Sequence, residues 1–77
     1  MQVHVHLHGI LRDLIPPEAK GRATLSLSDG ATVGDLLDQL GIKRRVVVAL
    51  NDDHEPDRTH ILRDGDQVSI YTIIGGG

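Results

Sequence analysis

Gly75-Gly76-Gly77 closes the sequence, directly after Ile73 and Ile74, and this segment is the one best suited to chemistry. A glycine at a chain end carries an α-carboxylate with no side chain beside it. Consecutive glycines make a thread thin enough for a deep cleft, with φ of either sign accessible at no steric cost. The chemistry that suits such a segment is the presentation of a carboxylate to another protein's active site. Gly77 would carry the reacting carbonyl carbon, with Gly76 beside it. The bland alternative is a frayed end, since chain termini are often disordered whatever their sequence.

Other residues offer less. His4, His6 and His8 alternate along one segment, and His-x-His spacing can serve zinc. The same alternation simply puts three polar side chains on the non-core face of a strand. With no carboxylate near in sequence and no cysteine anywhere, no metal site is expected, and the histidines read as solvated or partner-facing. The absence of cysteine also rules out a disulfide framework and a thiolate nucleophile. Any sulfur chemistry must draw its sulfur from a partner. Lys43, Arg44 and Arg45 form the only basic cluster and read as a solvated surface. A net charge of −3 argues against a nucleic-acid footprint. No Gly-x4-Gly-Lys-Ser/Thr phosphate loop is present. No bound cofactor is expected.

The elements that must position the tail follow from periodicity. Val3, Val5 and Leu7 alternate with the three histidines as in a strand with one buried face. Ile10 to Ile15 is apolar at helical spacing and is stopped by Pro16 and Pro17, which predicts one short helical turn. Leu25 and Leu27 alternate with Thr24, Ser26 and Ser28 in a second strand. Thr32 is placed to cap a helix, and Asp35 suits the positive end of its dipole. Val33, Leu36, Leu37 and Leu40 fall at i, i+3, i+4 and i+7, and Gly41 stops the stripe. Val46 to Leu50 is a strand that could meet apolar neighbours on both faces. A turn at Asn51-Asp52-Asp53 and a loop from His54 to Arg58 follow. Thr59 to Leu62 reads as a short strand, and Asp64-Gly65-Asp66 turns the chain into a last strand, Gln67 to Ile73.

Seventy-seven residues make one thin-cored domain, with a core of Leu, Ile and Val because Tyr71 is the only tyrosine, phenylalanine or tryptophan present. One amphipathic helix on one face of a mixed sheet is an α+β layer architecture. The first and last strands can lie side by side at its centre, so the tail would leave from a rigid strand. No segment approaches a membrane span. The N-terminal residues lack signal-peptide features, so a cytoplasmic location is expected.

Three segments carry a family resemblance: Gly30-Ala31-Thr32-Val33 leading into Leu36-Leu37 and Leu40-Gly41; Leu62-Arg63-Asp64-Gly65-Asp66-Gln67-Val68; and the Gly76-Gly77 end. In order, spacing and termination the chain resembles the MoaD/ThiS family of ubiquitin-like sulfur carriers over essentially its whole length. The resemblance implies a β-grasp fold with four to five strands and one main helix, residues 1–74, and a flexible glycine tail, residues 75–77. It implies a protein co-substrate or small subunit and not an enzyme. An adenylating partner of the ubiquitin-activating type would use ATP to convert the Gly77 carboxylate to an acyl-adenylate. A sulfur donor protein would then replace AMP to leave a thiocarboxylate for a downstream synthase. The Ile10–Ile15 turn resembles the molybdopterin branch, which is favoured. The Ile73-Ile74-Gly75 approach is closer to the thiazole (thiamine) branch.

If Val68 and Ile70 point to the helix, Ser69, Tyr71 and Ile73 point away from it. Two or three aliphatic side chains of the Val46–Leu50 strand would join them on an open face, and such patches tend to mark interaction surfaces. Tyr71, Ile73, Ile74 and Gly75 are therefore the expected partner-binding residues. Three other readings use the same features. One is a ubiquitin-like modifier that joins Gly77 to a lysine. Another is a β-grasp binding module with an inert tail, and the most distant is a small histidine metalloenzyme.

Overall fold

A computed structural model of the chain describes residues 1–51 and 55–73. Strands β1 (Gln2–Leu7), β2 (Arg22–Ser26), β3 (Val46–Leu50) and β4 (Gln67–Thr72) and one helix, α1 (Val33–Leu40), make up the regular structure, with two 3-10 helices between β1 and β2. The strands form one sheet in the order β2-β1-β4-β3. β1 and β4 are parallel, and the two outer pairings are antiparallel. Val33, Leu36 and Leu37 of α1 join Val3, Val5, Leu7, Val68 and Ile70 in one buried cluster. This is the expected β-grasp layout, with four strands among the described residues.

The helix ends are built as the sequence indicates. Thr32 Oγ1 accepts from the Asp35 amide at 3.2 Å, and the Thr32 amide donates to Asp35 Oδ2 at 2.9 Å. Gly41 closes the helix in the left-handed region at φ 76°, where a Cβ would be strained. Two further amides at the helix start, which no helical carbonyl can satisfy, donate to carbonyls of the segment between β3 and β4: Val33 to His60 O at 3.0 Å and Gly34 to Arg58 O at 2.8 Å.

Those two bonds explain a correction. Thr59 to Leu62 is not a strand; it forms only an isolated bridge between Ile61 and Thr32. The carbonyls of Arg58 and His60 serve the helix N-terminus instead of a ladder. Leu62 is buried while Ile61 is 60% exposed.

Between β1 and β2 the expected turn is a 3-10 helix, Gly9–Leu14, ending at an extended Ile15 before the prolines. A second 3-10 turn, Pro17–Ala19, has a proline at its first position and was not expected. Gly21 then restarts the sheet at φ 80°, where an added Cβ would lie 2.6 Å from the Leu7 carbonyl oxygen. β2 consequently begins at Arg22, two residues earlier than the leucine alternation indicates. Leu27 lies past the strand's end but stays buried, its amide bonded to Met1 O at 2.8 Å.

The turn before β4 is tied on both sides. Asp66 Oδ2 accepts from the Arg63 amide at 2.8 Å, and Asp64 Oδ1 accepts from the Gln2 amide at 2.7 Å. The Gln67 amide donates to Asn51 Oδ1 at 2.9 Å. These bonds fix where β4 starts against both β1 and β3.

Candidate functional site

The strand that leads to the tail sorts its side chains by alternation. Val68 and Ile70 are buried toward α1, whereas Tyr71 is 38% and Ile73 51% exposed. β3 pairs with β4 so that Val47 lies opposite Tyr71 and Ala49 opposite Ser69. Paired residues share a face, so Val47, Tyr71 and Ile73 form an exposed apolar group where β4 leaves the sheet. Of the two sets of β3 side chains, the smaller one takes this face. Val46, Val48 and Leu50 register with Thr72, Ile70 and Val68 and face the core, so β3 contributes only Val47 and the small Ala49 to the outer face.

β1 supplies the other border. Its parallel register places His6 beside Ser69 and Leu7 beside Ile70, which brings His8 to Tyr71. The His8 and Tyr71 rings stack at 4.1 Å between centroids and 15° between planes. His6 and His8 follow at 4.0 Å and 44°. Ring pairs of this kind contribute about 0.5–1.5 kcal/mol beyond burial, so Tyr71 is held in place from below. His8 Nε2 is buried without a hydrogen-bond partner. Further along the face, His4 Nδ1 lies 3.1 Å from Thr24 Oγ1.

The outer face is therefore graded, from apolar at the end of β4, through an imidazole band, to polar at the start of β4. An open surface concavity of about 760 Å³ lies over the polar end between His4, His6, Arg22, Thr24, Gln67 and Ser69. It is a groove between side chains and does not reach Tyr71. Among the described residues no group of three or more histidines, cysteines or carboxylates could hold a metal ion. No helix among them is long and apolar enough to cross a membrane.

The expected site residues divide cleanly. Tyr71 and Ile73 are on the exposed face, as the alternation predicts. Ile74, Gly75, Gly76 and Gly77, and with them the boundary of the glycine tail, lie outside the described residues. Sequence reasoning missed the stacking of His8 on Tyr71. Its signal was present, because parallel pairing of the first and last strands brings the last histidine of β1 level with the tyrosine.

A model of the ThiS family matches residues 5–77 of the chain. Among curated protein sequences none matches. The fold is similar to several solved structures. Small archaeal modifier protein 1 of Haloferax volcanii is 17% identical, covering 95% of this chain and 98% of that one, with a TM-score of 0.76. A Pyrococcus furiosus protein assigned as molybdopterin converting factor subunit 1 is 21% identical, covering 96% and 99%, with a TM-score of 0.78. The complex of molybdopterin-converting factor subunits 1 and 2 from Helicobacter pylori contains a chain 23% identical, covering 100% of both, with a TM-score of 0.64. At these identities the likenesses establish the β-grasp fold alone.

Proposed function

The chain belongs to the ThiS family, and on that premise we propose that it carries sulfur on its terminal Gly77 for the biosynthesis of a cofactor. Members of this family are small sulfur-carrier subunits and not catalysts. The observation that carries the reading is the extent of the match, which runs through β4 and takes in Gly75, Gly76 and Gly77.

The chemistry follows from what a carboxylate lacks. It is a poor electrophile, because hydroxide or oxide would have to leave. In a partner's cleft an oxygen of the Gly77 carboxylate attacks the α-phosphorus of ATP. The α–β phosphoanhydride bond breaks and pyrophosphate departs. The terminal sulfur of a persulfide on a donor protein then attacks the Gly77 carbonyl carbon, and AMP leaves. Attack by a thiol on the resulting sulfur–sulfur bond releases the donor as a disulfide and leaves the thiocarboxylate. The cycle needs ATP, a persulfide and a reducing thiol, which a cytoplasmic setting supplies. This chain's own part is to offer a slim carboxylate-bearing segment beyond a fixed strand, with Val47, Tyr71 and Ile73 beside it as the docking surface for the adenylating enzyme and the downstream synthase.

The molybdopterin branch is supported by the 3-10 segment Gly9–Leu14 between β1 and β2. The likeness to a subunit seen in complex with a second converting-factor subunit points to the same kind of synthase partner. A second reading, conjugation of Gly77 to a lysine amine, is favoured by the likeness to a small modifier protein. The activated carboxyl is the same in both, and only the acceptor differs. Intact mass spectrometry of the chain produced with its adenylating enzyme and a sulfur donor tests the proposal. The expected product is heavier by the difference between one sulfur and one oxygen atom. Isopeptide-linked products with no such species would favour the modifier, and neither product would overturn both.

A further inference from the structure

The basic cluster read from the sequence as mere solvated surface lies at a telling place in the fold. β3 and β4 run antiparallel with Val46 opposite Thr72. Arg45, one residue before β3, and Ile73, one residue after β4, therefore leave the sheet at the same end. Lys43, Arg44 and Arg45 are all exposed. Among the described residues none of the three forms an ion pair.

No carboxylate among the described residues comes within ion-pair distance of them. Asp38, in the last turn of α1, is 3.8 Å from Arg58. Asp29, Asp64 and Asp66 are anchored at the opposite end, where β4 begins and β2 finishes. A chain with a net charge of −3 thus shows three adjacent cations, unpaired among the described residues, beside the strand that delivers its tail.

We infer that Lys43, Arg44 and Arg45 form a basic collar that meets an acidic surface on the protein that activates Gly77, at the rim of the cleft that receives the tail. The inference rests on the proposed function in needing that activation, which is the step common to sulfur transfer and to conjugation. Reach decides between rim and nucleotide. Gly77 lies four residues beyond Ile73, so a tail drawn out in a cleft holds its carboxyl about 13–14 Å away. That is further than an arginine level with Ile73 extends. The collar therefore acts on encounter and docking, where complementary charge raises association rates, and not on the adenylated carbon.

The test is ATP–pyrophosphate exchange by the adenylating enzyme encoded in the same genome, with this chain as the varied substrate. Each exposed charge removed is expected to raise KM about 2- to 5-fold at low salt, with kcat unchanged. The variant Lys43→Gln/Arg44→Gln/Arg45→Gln should fall between the wild type and Lys43→Glu/Arg44→Glu/Arg45→Glu. The differences should shrink at 1 M salt, where the screening length is about 3 Å. Arg63→Glu, at the far end of β4, should behave as wild type. Circular dichroism checks that each variant folds. A wild-type KM in both triple variants at low salt, or an effect undiminished by salt, would overturn the inference while leaving the sulfur-carrier reading intact. A wild-type chain that supports no exchange would overturn that reading and the collar with it.

Discussion

Gln2 and Asp64 stand 62 residues apart in sequence, yet the Gln2 amide donates to Asp64 Oδ1 at 2.7 Å. The Gly65 amide returns a bond to Gln2 O at 2.7 Å. Together they clamp the turn before β4 onto the first residue of β1. A parallel pair needs this kind of help, because no hairpin sets its register. A one-residue slip would turn Tyr71 into the core and Ile70 out to solvent.

Asp64→Ala is therefore expected to lower stability by about 1–3 kcal/mol, since it removes a hydrogen bond to a charged acceptor. Asp64→Asn keeps an acceptor in place and should lose less. Urea melts of the two variants check this. Equal stability of Asp64→Ala and the wild type would show that the clamp contributes nothing.

Leu36 is fully buried beneath the sheet. Leu36→Ala should cost about 2–5 kcal/mol, the range for a core leucine whose cavity collapses only in part. A single-domain stability is about 5–15 kcal/mol in all, so a denaturant titration should show a pronounced shift of midpoint. A change below about 1 kcal/mol would mean the helix does not sit on the sheet as described.

How far the sequence disclosed this architecture depends on how local each signal is. The helix was fully legible, because Thr32, the 3.6-residue stripe and Gly41 each act within a turn of their own position. β1 and β4 were legible from alternation, and β3 from a continuous β-branched run. The extent of β2 was not, because Gly21 starts it through an approach to the Leu7 carbonyl that no local pattern encodes. Thr59–Leu62 misled for a related reason. Its β-branched composition favours a strand, but its neighbouring carbonyls are claimed by the amides of Val33 and Gly34. At the site, the exposure of Tyr71 and Ile73 followed from period two. The inward turn of Val46 depended on register against Thr72, which a continuous apolar run leaves open.

Removal of Gly77, or addition of a residue after it, is expected to abolish sulfur transfer while leaving stability nearly unchanged. β4 ends at Thr72, and the buried cluster of described residues extends no further than Ile70. Thermal unfolding and thiocarboxylate formation would be measured on both variants. Full transfer by either would remove Gly77 from the chemistry.

Tyr71→Ala should weaken binding to the adenylating enzyme by about 1–4 kcal/mol, as truncating an aromatic anchor does. Stability should fall by no more than about 1.5 kcal/mol, because the ring is part-exposed and its main support is the stack on His8. Calorimetric titration, with circular dichroism as the folding check, separates the two effects. Unchanged affinity would move the interface off this face.

β4 is flanked on one side by β1 and on the other by β3, and it is the strand from which the tail departs. A partner that draws the tail into a cleft pulls along the axis of β4. That load is borne as shear by two hydrogen-bond ladders at once, with the turn at Asp64 as a stop behind them. Peeling, which breaks bonds one at a time, is available only to the edge strands β2 and β3. Under the proposed function, this arrangement would let the domain be held by its end and tugged without unravelling through repeated capture and release of one carboxylate.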